Sequence, residues 1–225
     1  NNMSISVAID GPSGAGKSTL ARRLAAEMGF VYVDTGAMYR SIGLYALESG
    51  TDPHDAAGVE ALLPQIRLEA RPVPGGQQML LNGRDVTEQV RREEVGMAAS
   101  AVSARPAVRA FLLEKQRKMA ASKNVLMDGR DIGTVVRPGA TVKIFLTAAP
   151  QARALRRQKE LEAKGQARPY SEVLADVMQR DEQDSTRASA PLRQAEDAVR
   201  LDTTYLNFEE SFVRLREIVC RRARL

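Results

Sequence analysis

The chain has 225 residues, of which 44% are hydrophobic and 27% are charged. This length and composition suit one globular core with a small additional subdomain, and no apolar run reaches the roughly 20 residues that a membrane span requires. The lone cysteine, Cys220, excludes a disulfide framework, and we expect a cytoplasmic protein without a membrane partner. The lone histidine, His54, lies in a polar turn, which argues against Ser-His-Asp catalysis.

The net charge of +5 raises the question of a nucleic-acid partner. The positive charge is spread along the chain apart from residues 221–224, and the 4% of aromatic residues includes no tryptophan. Few side chains are therefore available for stacking on bases. A cleft that attracts small anions also needs many arginines. We expect no nucleic-acid partner and a monomer, since nothing in the sequence demands a second subunit.

The first part of the chain alternates strand and helix. Apolar runs at residues 5–9 and 30–33 predict buried strands. Between them, residues 17–28 have the apolar spacing of a helix that ends at Gly29. Residues 37–49 predict a second helix. A strand, a glycine-rich loop, a helix and a strand form a βαβ unit, which makes the sheet parallel.

The middle of the chain has a different character. Residues 71–76 are rich in proline and glycine and predict a turn, while residues 66–70 and 78–81 predict short antiparallel strands followed by a tight turn at Asn82-Gly83. Helices are predicted over residues 90–103 and 107–121, with Pro106 in the first turn of the second. We interpret residues 37–105 as an insert that lies over the sheet.

Regular α/β order then returns. Strands are predicted at residues 124–127, 141–146 and 198–201, and helices at 151–163, 171–186 and 207–222. Ser171 is a candidate N-cap for the second of these helices. The sequence therefore predicts a three-layer α/β fold with a central parallel sheet, in which residues 1–36 and 106–225 form the core.

A phosphate-binding loop follows the first predicted strand. Residues 11–18, GPSGAGKS, match G-x-x-x-x-G-K-[ST] at every defined position. Glycines let backbone N–H groups point into a small concave space, and the following helix adds its positive dipole end. The lysine supplies charge for the outer phosphates, and the serine hydroxyl suits Mg²⁺, the predicted cofactor. The predicted ATP-binding residues are Gly11, Ser13, Gly14, Ala15, Gly16, Lys17, Ser18 and Thr19.

This loop alone does not choose among kinases, GTPases and motor ATPases. The sequence contains no Asn-Lys-x-Asp string, which argues against a GTPase. Asp128 ends a buried strand, as the metal-site acid of such proteins does, and is predicted to act on Mg²⁺ through water or merely to orient its loop.

Arginines on several loops indicate an anionic acceptor. A phosphate acceptor needs no general base, and the difficulty is to bring two anions together, which positive charge and in-line positioning solve. Arg40 and Arg130 follow predicted strands at the edge where open α/β sheets bind ligands. Arg180, Asp184 and Arg187 are spaced i, i+4 and i+7, which predicts that they share one helix face. Spacing alone does not decide whether they form part of the site or a solvent-exposed row of ion pairs.

Four segments together resemble the bacterial cytidylate kinases: residues 10–19, DTGAMYR at 34–40, DGRDIGTVV at 128–136, and RDEQDSTRASAPL at 180–192. The resemblance runs from about residue 5 to residue 215, and its most diagnostic stretch is GRDIGTVV. Adenylate kinases would be expected to have Asp-Gly-Phe-Pro-Arg there. The resemblance implies a P-loop fold with an acceptor-binding insert and a short lid at about residues 153–170. It also implies phosphorylation of CMP, and of dCMP, by ATP.

The resemblance also implies roles for individual residues, none of which spacing establishes. The acceptor phosphate is assigned to Arg40, Arg130 and Arg187, the cytosine edge to Ser100, Arg109 and Asp131, the sugar to Arg180 and Asp184, and the adjoining wall to Thr35 and Tyr39. Without the resemblance, Ser100 would be interpreted as helix packing and Arg109 as a solvated side chain.

The lid is expected to close over the phosphates and deliver positive charge. Arg156 and Arg157 are the candidates, against the alternative of a plain charged helix face. The residues expected to act in catalysis are Lys17, Arg130, Arg157 and Arg187. Residues 202–204 are expected to contact adenine or only to end a strand. A kinase for another small acceptor and a nucleic-acid-stimulated ATPase remain as alternative functions.

Overall fold

The computed structural model describes residues 4–121 and 123–225. Its strands are β1 (Ser6–Asp10), β2 (Val31–Asp34), β3 (Leu68–Val73), β4 (Gly76–Leu81), β5 (Arg84–Asp85), β6 (Val125–Gly129), β7 (Val142–Thr147) and β8 (Val199–Asp202). Its helices are α1 (Lys17–Met28), α2 (Thr35–Glu48), α3 (Ala56–Leu62), α4 (Glu93–Ser103), α5 (Pro106–Ala120), α6 (Pro150–Ala163), α7 (Tyr170–Thr186) and α8 (Phe208–Ala223).

Five parallel strands form the main sheet in the order β2-β6-β1-β7-β8. Every residue of β1 and β6 is buried, because helices cover both faces of a parallel sheet. Val7 and Ile9 of β1 pack in a cluster with α1 and α8, whereas Ala8 packs in the cluster on the α5 side. This confirms the predicted three-layer α/β fold and places the carboxyl ends of β1, β2 and β6 side by side.

A second, antiparallel sheet of three strands has the order β3-β4-β5. Its apolar face and α2, α4 and α5 share a separate cluster that includes Ile42, Met79 and Val102. Asn82 and Gly83 have φ angles of 50° and 81°, as a two-residue hairpin turn requires, so this predicted turn is confirmed.

The turn predicted over residues 71–76 is wrong for most of its length. Residues 71–73 belong to β3, and residue 76 begins β4, so only residues 74 and 75 connect the two strands. Pro72 is tolerated because β3 is an edge strand of its sheet, where a missing N–H costs no ladder hydrogen bond.

Several helix starts differ from the sequence-based prediction. The helix predicted from residue 90 begins at Glu93, because Arg92 has extended backbone (φ −64°, ψ 148°). Ser171 does not cap α7, which begins at Tyr170 after Pro169. The sequence analysis also missed α3, which Asp55 caps by accepting a hydrogen bond from Gly58 N, and a π-helical turn at Ile132–Val136. Within the described ranges, no helix has the length and apolar character needed to cross a membrane.

Candidate active site

Residues 13–19 of the predicted ATP site, which comprise the end of the loop after β1 and the start of α1, line a cavity of about 760 Å³. Gly14 and Gly16 have φ angles of 72° and 83°, a backbone region that favours glycine. Gly11 is not in the cavity wall: a Cβ at this residue would lie 1.9 Å from the carbonyl oxygen of Leu146. Gly11 therefore lets the loop pass close to β7, where a larger residue would collide with the Leu146 carbonyl.

Lys17 and Asp128 are buried charged groups in this cavity. Burial lowers the pKa of Lys17, and nearby Arg130 acts in the same direction. Burial raises the pKa of Asp128, and nearby Asp34 acts in the same direction. The Lys17 ammonium donates to the carbonyl of Pro12 at 2.8 Å. Burial thus disfavours the charged form of Lys17, and a bound phosphate would favour it.

Asp10, at the end of β1, supports the loop that follows β6. Its two carboxylate oxygens accept hydrogen bonds from the backbone nitrogens of Ile132 and Gly133, both at 2.8 Å. These bonds hold the start of the π-helical turn directly after Arg130 and Asp131. Burial raises the pKa of Asp10 to about 6, although the two backbone hydrogen bonds act in the opposite direction. The sequence analysis did not identify Asp10 as a site residue.

Replacing Asp10 with asparagine is expected to change how stability depends on pH. The folded protein holds the Asp10 proton up to about pH 6, whereas the group has its ordinary pKa of 3.8 when unfolded. As the pH rises from about 4 to about 6, the free energy of unfolding of the wild type should therefore fall relative to that of Asp10→Asn. Above about pH 6 the difference between the two proteins should be constant. Urea unfolding of both proteins from pH 4 to pH 8 measures this difference. A difference that does not vary with pH would contradict it.

A second, smaller cavity adjoins the first. All ten residues predicted for the acceptor line it: Thr35, Tyr39, Arg40, Ser100, Arg109, Arg130, Asp131, Arg180, Asp184 and Arg187. Gly96 of α4 also lines it and was missed, because a glycine in a small-residue helix carries no distinctive signal. A Cβ there would lie 2.7 Å from Nη2 of Arg180, so Gly96 lets that guanidinium lie against α4.

Arg40, Arg130 and Arg180 line both cavities and so mark their junction. Burial and Arg180 lower the pKa of Arg40 to about 10. Burial, Arg157 and Arg130 lower the pKa of Arg180 to about 10. Like charges are thus held together at the point where the two cavities meet, which favours binding of an anion there.

The helix face predicted for Arg180, Asp184 and Arg187 is partly wrong. Arg187 lies just beyond α7, with extended backbone, so it does not share that helix. Its Nη1 still lies 3.5 Å from Asp184, whose other oxygen accepts from Arg130 Nε at 3.0 Å. Burial lowers the pKa of Arg187 to about 10, with Arg109 acting in the same direction. The tertiary structure therefore brings Arg130 to Asp184, whereas Arg187 reaches Asp184 from three residues further along the chain.

Arg109 and Asp131 contact each other at 2.6 Å in the smaller cavity. The Arg109 guanidinium also donates to the carbonyl of Ser103 at 3.0 Å and lies 5.0 Å from the centre of the Tyr39 ring. The contact between Arg109 Nη2 and Asp131 is an ion pair without the geometry of a hydrogen bond. A donor and an acceptor therefore stand side by side in one wall.

Arg180 and Arg187 line this cavity, and the Nη2 atom of each is buried without a hydrogen-bond partner among residues 4–121 and 123–225. Buried donors are usually satisfied. Charged donors form stronger hydrogen bonds to carboxylate and phosphate oxygens than neutral donors do. The guanidinium groups that line the cavity therefore suit a ligand that is rich in acceptor oxygens.

A family model described as cytidylate kinase matches residues 7–220. The chain belongs to the cytidylate kinase family. A cytidylate kinase of Carboxydothermus hydrogenoformans is 51% identical over 216 residues, which cover 96% of this chain and 97% of that protein. A cytidylate kinase of Geobacillus kaustophilus is 48% identical over 218 residues, 97% of each chain. An uncharacterized protein of Eubacterium ventriosum, 10% identical over 98% of each chain with a TM-score of 0.50, is similar in fold.

In this member of the cytidylate kinase family, α6 presents arginines to the large cavity. Arg156 donates to the hydroxyl of Thr203 at 3.2 Å and also to its carbonyl, directly after β8. Arg157 forms an ion pair with Glu93, the first residue of α4. Arg156 and Arg157 both line the cavity, as does Glu93, which the sequence analysis missed.

Arg153, on the same helix, has a supporting position. Its guanidinium is buried, pairs with Asp181 at 2.9 Å and donates to the carbonyl of Ser13 at 3.0 Å. It thereby ties the phosphate loop to α7.

Proposed function

We propose that this protein transfers the γ-phosphoryl group of ATP to CMP, forming ADP and CDP, and that dCMP is a second acceptor. One observation carries the proposal: Arg40, Arg130 and Arg180 stand at the junction of a phosphate-loop cavity and a cavity lined by every predicted acceptor residue. Two phosphate groups that enter from opposite sides would meet at these guanidinium groups. Membership of the cytidylate kinase family supports CMP as the acceptor.

On the donor side, backbone N–H groups of residues 13–19 would hold the ATP phosphates, together with Lys17. Mg²⁺ would bind the phosphates with the Ser18 hydroxyl, and the Asp128 carboxylate would act through water. Both side chains line the large cavity and offer the hard oxygen ligands that Mg²⁺ prefers. The described residues contain no group of three or more His, Cys, Asp or Glu side chains that could hold a metal ion. This donor set suits an ion bound mainly by phosphates and water.

On the acceptor side, Arg40, Arg130 and Arg187 would hold the CMP phosphate. Ser100, Arg109 and Asp131 would read the cytosine edge, while Arg180 and Asp184 would hold the sugar beside the wall that contains Thr35 and Tyr39. Cytosine has an amino donor beside acceptor atoms. The adjacent carboxylate and guanidinium of Asp131 and Arg109 are the complementary pair.

The chemistry needs positioning and charge rather than a general base. The CMP phosphate is already an anion at neutral pH, so the arginines serve to offset repulsion between the two phosphates and to align them. We propose that residues 37–105 form the acceptor-binding insert and residues 153–170 the lid. Arg157 would leave Glu93 when the transferring phosphoryl group is present and would contact that group instead.

A comparison of five nucleoside monophosphates as acceptors tests this proposal directly. ADP formation is measured with Mg²⁺·ATP and each of CMP, dCMP, UMP, AMP and dTMP. We expect the highest kcat/KM with CMP or dCMP. Turnover with AMP or dTMP but not with a cytosine nucleotide would assign the fold to another acceptor.

The Asp131 carboxylate is expected to discriminate against UMP, which has a carbonyl where cytosine has an amino group. Asp131→Ala should lower the ratio of kcat/KM for CMP to that for UMP by about 10- to 100-fold, the value of one charged hydrogen bond. Steady-state kinetics with both nucleotides measures this ratio. An unchanged ratio would rule out Asp131 as the discriminating group.

We further propose that the enzyme acts as a monomer in the cytoplasm. The lone cysteine, Cys220, is a free thiol in the structure, which fits a reducing compartment. Light scattering of the purified protein measures the oligomeric state.

A further inference from the structure

Gln77 of β4 connects the small antiparallel sheet to the end of a main-sheet strand. Its side chain is buried, and its Oε1 accepts from the backbone nitrogen of Asp34 at 3.2 Å. Its Nε2 donates to the backbone oxygen of Asp34 at 3.0 Å, and Sδ of Met79 lies 3.1 Å from Nε2. The amide therefore satisfies both main-chain groups of one residue, as a neighbouring strand would.

Asp34 is the residue from which α2 starts. Its Oδ1 accepts from the backbone nitrogen of Ala37 at 3.0 Å and so caps the helix. Its Oδ2 contacts Arg91 Nη2 at 3.1 Å. Main chain and carboxylate of this one residue are thus held by Gln77, by Arg91 and by the first turn of α2.

The first turns of α2 carry one wall of the smaller cavity. Thr35, Tyr39 and Arg40 belong to this part of α2, and all three line the cavity. A rotation of the helix start would move all three together, because a helix is rigid over two turns. The position of Asp34 therefore controls how this wall faces the acceptor.

We propose that Gln77 is a positioning residue for acceptor binding, which acts by fixing the main chain of Asp34 and with it the start of α2. The inference rests on the proposed function for the identity of the acceptor. Gln77 does not line either cavity, so its effect passes through Asp34 and α2. The phosphate loop lies at the end of another strand, β1, and should keep its geometry.

The test compares Gln77→Leu with Gln77→Glu and with the control Gln78→Leu. Leucine has a similar size but leaves both Asp34 groups without a partner. Glutamate keeps the size and one acceptor but turns a second oxygen toward the Asp34 carbonyl. Gln78 follows on the same strand and points to the other face, where its amide contacts Asp85 at 2.9 Å.

Both Gln77 variants are expected to raise KM for CMP about tenfold, the usual effect of losing one buried hydrogen bond. The kcat value and KM for ATP should stay within about twofold, and Gln78→Leu should match the wild type in all three. An unchanged KM for CMP would overturn the proposal. Equal losses in kcat and in both KM values would also overturn it, since they would indicate a general structural role.

Hydrogen exchange provides a readout that needs no substrate. The backbone amides of Asp34 and Ala37 should exchange faster in Gln77→Leu than in the wild type or Gln78→Leu, while amides of β1 should be unchanged. Equal protection of Asp34 and Ala37 in all proteins would overturn the proposal. A wild type that fails to use CMP would refute the proposed function alone, because this exchange result does not depend on the acceptor.

Discussion

Replacing Lys17 with methionine is expected to lower kcat by about 10²- to 10³-fold, the usual effect of removing one preorganised group that stabilises transition-state charge. Methionine is about as long as lysine without its ammonium, so the loop should stay folded. Burial already lowers the pKa of Lys17, which means that its charge is costly in the free protein. The free energy of unfolding should therefore be unchanged or higher, and the loss should concern catalysis.

Lys143 is a matched control for this experiment. It is a second buried lysine, on β7, and its ammonium pairs with Asp197 at 2.9 Å. Lys143→Met should keep kcat near the wild-type value in the same ADP-release assay. Near-normal kcat for Lys17→Met, or an equal loss in both variants, would show that Lys17 has no special place in phosphoryl transfer.

Replacing Arg180 with methionine is expected to stabilise the free protein and to weaken acceptor use. A base whose pKa is lower in the folded state destabilises the fold wherever it is charged. For Arg180, with a pKa of about 10, the cost is complete below pH 10 and disappears only as the pH rises toward 12.5. At pH 7 the Tm of the variant should rise by about 2–4 °C for each kcal/mol by which the free energy of unfolding increases. Its kcat/KM for CMP should fall about 10- to 100-fold.

Thermal unfolding and steady-state kinetics at pH 7 measure the two effects of Arg180→Met together. CMP should also raise the Tm of the wild type more than that of the variant, because bound ligand stabilises the fold that binds it. Arg216→Met is the control: its guanidinium pairs with Glu27 at 2.8 Å on the surface, and its loss should change neither quantity much. A lower Tm for Arg180→Met with intact CMP turnover would contradict the prediction.

The local features of this protein could be predicted from its sequence. The phosphate loop depends on glycine, lysine and hydroxyl groups at fixed spacing, and Gly14, Gly16, Lys17 and Ser18 lie in the predicted cavity. The parallel sheet followed from apolar runs separated by helical patterns. Arg40 and Arg130 could be selected from their places after predicted strands, whereas Ser100 and Arg109 were located only through resemblance to a family, because they carry no local signal of their own.

Other features depended on the tertiary structure. Asp10 binds the backbone of Gly133, 123 residues away, and Arg157 pairs with Glu93, 64 residues away. Gln77 binds the main chain of Asp34 across two sheets. The sequence alone determined the strands of the main sheet, the helices next to them and the phosphate loop, since short-range spacing specifies them. Only the packed chain decided which charges share a cavity, because that depends on how the carboxyl ends of separate strands and the insert come together.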